Sequence, residues 1–299
     1  MDYDESAMNR RRAGSVTAEG MALLRAGESR RPEGERICDD PFAIRFVRPE
    51  VLALARGRGP EEAEAAREAY ERAFPGHRNS LLTRVRFFDD TVRREVAAGM
   101  PQVVIAGAGF DSRAYRLEGL RDARVIEVDR AETQAHKTAC LRQCLGSLPP
   151  HVTFLPFDLR DGRLLDALAG TGFDPGERAL FVMEGLLYYL PPPLVRILLA
   201  EIATGAAPGS QVLFDFFPLS IVDGTHPSPV AQAIRRNVAS VGEPFLFGLP
   251  EGGETAFLRE LGFGTIRIVT DRDYLGGLLV PGAPARKTTG LLGFCQAEV

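Results

Sequence analysis

A chain of 299 residues, 45% hydrophobic and 25% charged, can bury the core of one large α/β domain or of one and a half ordinary ones. Its net charge of −4, with no basic patch interleaved with aromatics, argues against a nucleic-acid or anionic-membrane partner. Arg196 and Glu201 interrupt the longest apolar run, and no apolar leader follows the first residues, so neither a membrane span nor secretion is expected and a cytoplasmic location is.

Residues 1–14 are polar and Arg-rich and read as a flexible segment. Ser15 or Thr17 can cap a helix over 15–28 that carries Val16, Met21, Leu23 and Leu24. Asp39-Asp40-Pro41 reads as a second helix start, with Phe42, Ile44, Phe46 and Val47 behind it. Cys38, Cys140, Cys144 and Cys295 are scattered apart from one i, i+4 pair, which points to reduced thiols and no metal site. Residues 61–74, rich in Ala, Glu and Arg, read as a solvated helix ended by Pro75-Gly76. Asn79 or Ser80 then caps a stronger helix, in which Leu81, Val85, Phe88, Val92 and Val96 recur at three- and four-residue steps and Gly99 provides the stop. A helical part over 15–100 therefore precedes the first strand.

Gln102 to Arg113, QVVIAGAGFDSR, is the central stretch of the chain. Val103, Val104, Ile105 and Ala106 form a short buried strand that runs into a Gly107-Ala108-Gly109 turn, with a helix opening near Asp111 and Ser112. Strand, glycine turn and helix N-terminus together form the nucleotide crevice of an open α/β sheet. The third glycine of a dinucleotide fingerprint is Ser112 here, and Asp111 sits where a pyrophosphate needs bare N–H groups. A phosphate-free nucleoside bearing cationic groups fits better, and S-adenosylmethionine is such a ligand. A plain tight turn, with Asp111 as a helix N-cap, is the structural alternative.

Strands and helices alternate after this turn. Strand candidates are 124–128, 152–156, 179–183 and 210–215, and the helical stretches between them are 131–145, 161–168 and 192–203. Such alternation predicts a parallel, doubly wound sheet. Late strands at 265–269 and 290–296 flank a glycine-rich turn region over 275–284. Residues 218–249 are long for a loop and read as a substrate lid within a single domain over 15–299, between a cofactor-binding core at 101–217 and the C-terminal strands at 250–299.

Acidic residues recur at the carboxyl ends of these strands, where open α/β sheets bind ligands. Asp129 lies at the end of the second strand, placed to accept both hydroxyl protons of a ribose, and Glu127 points to the same face. Asp158 follows the third strand and can accept from an adenine amino group; Glu184 follows the fourth. Asp158 could instead cap a helix, and Glu127 could pair with a neighbouring arginine.

The chain resembles the leucine carboxyl methyltransferase family, and within it the bacterial S-adenosylmethionine-dependent branch. The matching pieces are TAEGMALLRAGESRRP, DDPFA, TRVRFFDD, VVIAGAGFDSRAYRL, VIEVDRAETQAHK, FDLRD, FVMEGLLYYLPP and FGLPEGGETAFLRELGF, in that order. The resemblance implies a class I methyltransferase fold, a Rossmann-like seven-stranded, mostly parallel sheet whose last-placed strand runs antiparallel. It implies that Arg84 holds the methionine carboxylate and that Gly107, Ala108 and Gly109 back the cofactor. Asp129 matches the ribose ligand, Asp158 and Leu159 the adenine contacts, and Glu184 the acid near the methionine amino group or sulfonium. Arg113 and Tyr189 occupy motif positions without an assigned role. Ala106-Gly107 replaces the more frequent leucine-glycine, and 218–249 matches little.

The implied activity is S-adenosylmethionine-dependent O-methylation, first of a carboxyl group on a small molecule. Of the four histidines, only His226, in the lid, is expected to reach an acceptor. A hydroxyl O-methyltransferase, an NAD-dependent dehydrogenase and a regulatory cofactor-binding module are the rival readings.

Overall fold

The computed structural model describes residues 16–57, 59–278 and 286–299. The flexible segment expected at 1–14 and the end of the glycine-rich stretch at 279–284 lie outside the described residues.

Among the described residues, five α-helices precede the sheet: α1 (Val16–Glu28), α2 (Ala43–Phe46), α3 (Pro49–Arg56), α4 (Pro60–Ala73) and α5 (His77–Ala97). Asp40 starts α2 as its sequence suggests, its Oδ1 accepting the Phe42 and Ala43 N–H groups at 3.0 Å each. Helix α3 was not expected, and Pro49 at its first position suits a helix start. Helix α5 begins two residues before the anticipated cap. Gly76 takes the positive φ that turns the chain, and the Ser80 hydroxyl donates back to Gly76 O at 3.1 Å instead of capping. Its Leu82, Val85, Phe88 and Val92 face the core.

The sheet follows as β1 (Gln102–Ala106), α6 (Arg113–Arg116), β2 (Arg124–Asp129), α7 (Ala131–Leu145), β3 (Val152–Pro156), α8 (Leu164–Ala167), β4 (Ala179–Met183), α9 (Pro192–Gly205) and β5 (Gln211–Phe216). The chain continues through α10 (Leu219–Asp223), α11 (Pro229–Ser240), α12 (Glu254–Glu260), β6 (Ile266–Thr270), α13 (Asp271–Leu278) and β7 (Gly293–Glu298). Strand order is β3-β2-β1-β4-β5-β7-β6, with β7 antiparallel to both neighbours and β1 to β5 parallel. This is the seven-stranded class I arrangement the resemblance implied.

Alternation along β1 splits the core. Val103 and Ile105 pack with Phe87, Phe88 and Val92 of α5 on one face, and Val104 and Ala106 pack with α9 residues Leu198 and Ile202 on the other. Two turns of sequence were misread. The glycine-rich region around Leu275 is the helix α13, its Gly276-Gly277 pair notwithstanding, and α8 is one turn long, not the eight residues expected. Residues 218–249 hold the two helices α10 and α11, closed at the base by Pro218–Leu249 pairing, with Leu249 N donating to Phe217 O at 3.1 Å.

Candidate active site

The glycine turn leaves β1 with φ of +66° at Gly107 and +40° at Gly109, both left-handed and both costly for a residue with a Cβ. A Cβ on Gly107 would lie 2.8 Å from Leu186 Cδ1, so packing demands glycine there as well. At Gly109 a Cβ would meet only ordinary contacts, the Ala18 Cβ at 3.6 Å and the Gly107 carbonyl oxygen at 3.8 Å, so the backbone there is uncrowded. The following helix, α6, is a single turn, and Asp111 caps it by accepting the Arg113 N–H at 2.7 Å. Asp129 is aimed by two backbone donors, Gly109 N to Oδ2 and Arg130 N to Oδ1, each at 2.7 Å. Each carboxylate oxygen keeps a second acceptor site.

Beyond the turn, acids and arginines form one buried chain of ion pairs. Arg84 donates from Nε to Glu184 at 3.0 Å and from Nη1 to Asp215 at 3.0 Å and the Tyr188 hydroxyl at 2.8 Å. Arg113 pairs with the other oxygen of Glu184 at 2.6 Å, with Asp111 at 2.5 Å and with Asp89 at 2.8 Å. Arg116 binds Asp89 through both terminal nitrogens, and Arg25 of α1 joins Asp40 at 2.8 Å and the Phe110 carbonyl at 2.6 Å. Burial alone raises the pKa of Asp111, but the Arg113 guanidinium and backbone N–H, with Lys137 and Arg116, together outweigh it and hold the carboxyl at about 2. Glu184 is likewise held low against its burial by Arg113 and Arg84, whereas burial leaves Asp215 raised.

One cleft of about 1850 Å³ runs along this network. Arg84, Gly107, Ala108, Gly109, Asp129, Asp158, Leu159 and Glu184 all line it, drawn together from α5 and the ends of four strands. The carboxylate of Asp158 already accepts the Arg160 N–H at 3.0 Å and its Nε at 2.9 Å, so it shapes its own turn and caps no helix, α8 starting only at Leu164. Glu127 does not belong to this set. It is fully buried on the α5 side of β2, where Tyr115 donates to it at 2.5 Å and Lys137 Nζ lies at 2.5 Å. Its partner is a lysine, not the arginine considered from sequence. Burial leaves its carboxyl raised.

Two site residues escaped sequence reading. Asp215 ends β5 in the same position that Glu184 follows β4, and the strand-end rule that singled out the other acids applies equally to it. Tyr188 bridges Arg84 and Asp215. The histidine expectation also needs correction. His226 lies in the turn after α10, outside the cleft lining, where its Nδ1 accepts the Ser228 N–H at 3.1 Å. His77 is the histidine that lines the cleft. Along α5, His77, Leu81 and Arg84 are spaced i, i+4, i+7, so one helical stripe carries both the histidine and the arginine of the network. Burial of the ring, aided by the Arg84 charge, pushes its pKa down to about 4.

The far wall is formed by α1 and by residues 237–246, the last turn of α11 and the segment after it. These touch through Thr17, whose hydroxyl donates to Glu243, and Leu246 N donates to the Tyr188 carbonyl at 2.7 Å.

The residues suit S-adenosylmethionine better than a dinucleotide. The uncrowded backbone at Gly109 gives a nucleoside room, and Asp129 stands ready beside it. The ionised Asp111 next to that turn repels a pyrophosphate. Anionic Glu184 and Asp111 favour the cationic groups of the methionine portion.

Comparisons with known proteins agree. The family described as leucine carboxyl methyltransferase matches residues 18–203. A Frankia alni protein, provisionally named an S-adenosyl-L-methionine-dependent methyltransferase, is 38% identical over 199 residues, which are 66% of each chain. A Mycolicibacterium vanbaalenii protein of the same provisional name is 32% identical over 263 residues, 84% of this chain and 83% of that one. In fold, a crystal structure from Thermobifida fusca, provisionally named a methyltransferase, superposes with a TM-score of 0.58 at 19% identity, covering 80% of this chain and 89% of that one. With the fold, the cleft and these relatives in agreement, the chain belongs to the leucine carboxyl methyltransferase family of S-adenosylmethionine-dependent enzymes.

Proposed function

We propose that this methyltransferase esterifies a carboxylate of a small-molecule acceptor. The observation that carries the reading is Arg78. This half-buried arginine lines the cleft one residue from His77, and its buried Nε has no hydrogen-bond partner. Burial and the neighbouring charges of Arg286, Arg67 and Arg31 lower its pKa, against the opposing effect of Glu28. An arginine so placed stays charged and gains most from an incoming anion.

Bound S-adenosylmethionine would supply a methyl group whose bond to sulfur breaks with its electron pair going to sulfur as the acceptor oxygen forms the new bond to carbon. The chain's own residues hold and shield. Asp129 accepts hydroxyl protons, the Arg84–Glu184–Arg113 chain fixes charge at the methionine end, and Arg78 orients the acceptor anion. A carboxylate is already ionised at neutral pH, so no residue must remove a proton, and the enzyme's contribution is position and exclusion of water.

His77 favours one second reading, a hydroxyl acceptor. Its ring is neutral at pH 7 and can accept a proton, the task a hydroxyl acceptor would set it. The two readings part on the product. Calorimetry with S-adenosylmethionine, its demethylated product and NAD tests the cofactor. Transfer of labelled methyl groups to an acceptor panel, followed by mild alkali, then separates a labile ester from a stable ether. Stable products alone would retire the carboxyl reading.

A further inference from the structure

Around Arg78 the cleft has a distinct shape, and this inference rests on the acceptor being an anion held there. Helix α4 has no buried residue, so the sequence reads it as a solvated helix, yet Ala63, Ala66 and Tyr70 turn one stripe of it into the cleft. Two alanines leave space where the longer side chains of its outer face would fill it. Tyr70, 37% exposed, presents its ring to that space. The His77 ring runs nearly parallel to it, with planes 20° apart and centroids 6.5 Å apart. Phe74 backs Tyr70 at 4.9 Å. Leu81 extends the apolar wall one turn further along α5 towards Arg84. Because His77 is neutral at pH 7, the charges on this wall are those of two arginines, Arg78 and Arg67, and Arg67 is paired with Glu64.

The start of α5 beneath these rings is closely packed. A Cβ on Gly76 would lie 2.9 Å from the Thr288 carbonyl carbon, so the start of α5 is packed directly against residues 286–289. Arg286 ties that strap to Glu28 and, at 3.0 Å, to Asn79. Two flat, near-parallel faces, with the buried and unpaired Nε of Arg78 at their edge, select a flat apolar group carrying a negative charge.

We propose that the acceptor is an aromatic carboxylic acid, its ring lying against Tyr70 and His77 and its anionic end at Arg78. Aliphatic acids of the same size bury similar area but lack the ring–ring contacts, so Tyr70 acts as a specificity residue.

The test uses the full chain saturated with S-adenosylhomocysteine, so that the adenine site is filled. Calorimetry compares 2-naphthoate, decanoate and 2-naphthylmethanol. We expect 2-naphthoate to bind at least tenfold more tightly than either. Tyr70→Ala should bring 2-naphthoate and decanoate together, Tyr70→Phe should restore the preference, and Arg78→Gln should weaken both acids alike. Melting curves of each variant show whether it is folded, and Tyr70→Phe keeps the test valid should Tyr70→Ala fail to fold. Equal binding of the two acids by the unmodified chain, no binding of either, or an aromatic preference that survives Tyr70→Ala would overturn the proposal. Transfer of methyl groups to decanoate but not 2-naphthoate would also overturn it while leaving carboxyl methylation standing. Tight 2-naphthoate binding with methyl transfer to 2-naphthylmethanol alone would instead remove the carboxyl reading and keep the ring subsite.

Discussion

Arg84 and Glu184, a hundred positions apart in sequence, meet through an Nε to Oε1 hydrogen bond of 3.0 Å with both side chains nearly excluded from water. The sequence reading sent each to the cofactor separately; the fold first spends them on one another. Glu184 is shared with Arg113, so removing it takes one carboxylate from each of two buried cations, leaving Arg84 with Asp215 and Arg113 with Asp111 and Asp89. Glu184→Ala should destabilise the protein by roughly 1–3 kcal/mol, the cost of leaving buried donors short of one acceptor. The double variant Arg84→Ala/Glu184→Ala should lose clearly less than the two single losses added together. Urea unfolding of the three variants measures this, and strict additivity would mean the pair does not act as a unit.

If Arg84 also reaches the methionine carboxylate, its loss should be read in the ligand. Arg84→Ala should weaken S-adenosylmethionine more than 5′-methylthioadenosine, which lacks that carboxylate. Calorimetry with both ligands decides; equal losses would confine Arg84 to the ion network.

Asp129 holds the glycine turn as well as facing the cleft, through its bonds to Gly109 N and Arg130 N. Asp129→Ala should therefore lower S-adenosylmethionine affinity by roughly one to two decades and cost about 1–3 kcal/mol of stability through the freed backbone donors. Calorimetry and urea unfolding read the two losses separately. Affinity unchanged beside lowered stability would make Asp129 a turn residue alone.

Much of this site was legible because its signals are local. A glycine turn after an apolar strand and acids at strand ends can be counted off a sequence, and β2, β3 and β4 fell within a residue of expectation. What escaped depends on tertiary contact. Asp158 and Asp215 occupy similar strand-end positions, yet one pairs with exposed Arg160 and the other with buried Arg84, a difference no spacing encodes. The sequence reading passes over His77 in favour of His226. The place of His77 in the cleft follows from α5 starting at that residue and packing beside α4. The Gly276-Gly277 pair misled for the opposite reason, since the buried Leu275 secures α13 despite the poor propensity of its glycines.

The histidines give a contrast testable in turnover. His226→Ala should leave turnover within about twofold, because a residue outside the cleft has no route to the ~10²–10⁴ effect of a general base. On the carboxyl reading His77→Gln should reduce turnover by no more than about tenfold; a thousandfold fall with cofactor affinity preserved would install His77 as a base and favour a hydroxyl acceptor.

Stability against pH carries the last expectation, and its sign follows from the direction of the shift. An unfolded histidine titrates near 6.5, whereas the folded His77 is pushed down to about 4. Between these values the unfolded chain binds a proton that the folded chain refuses, so acidification favours unfolding there. The loss begins as pH falls through about 6.5 and is complete near 4. It should amount to on the order of 1–3 kcal/mol, the upper limit applying if the half-buried ring stays as dry as in the folded cleft. Asp111, Glu184 and Asp40, all held low, lose their contributions only as pH falls further, below the range of ordinary carboxyls. Asp215 and Glu127, both raised, act in the opposite sense and would mask part of the histidine effect in the unmodified protein. The informative quantity is therefore the difference between His77→Gln and the unmodified chain, measured by urea unfolding at half-unit steps from pH 7.5 to 4.5. That difference should shift steadily in the variant's favour as pH falls. A difference independent of pH would show that His77 titrates alike in the folded and unfolded chains, near 6.5, so that its ring would charge on mild acidification and the cleft would not hold it neutral.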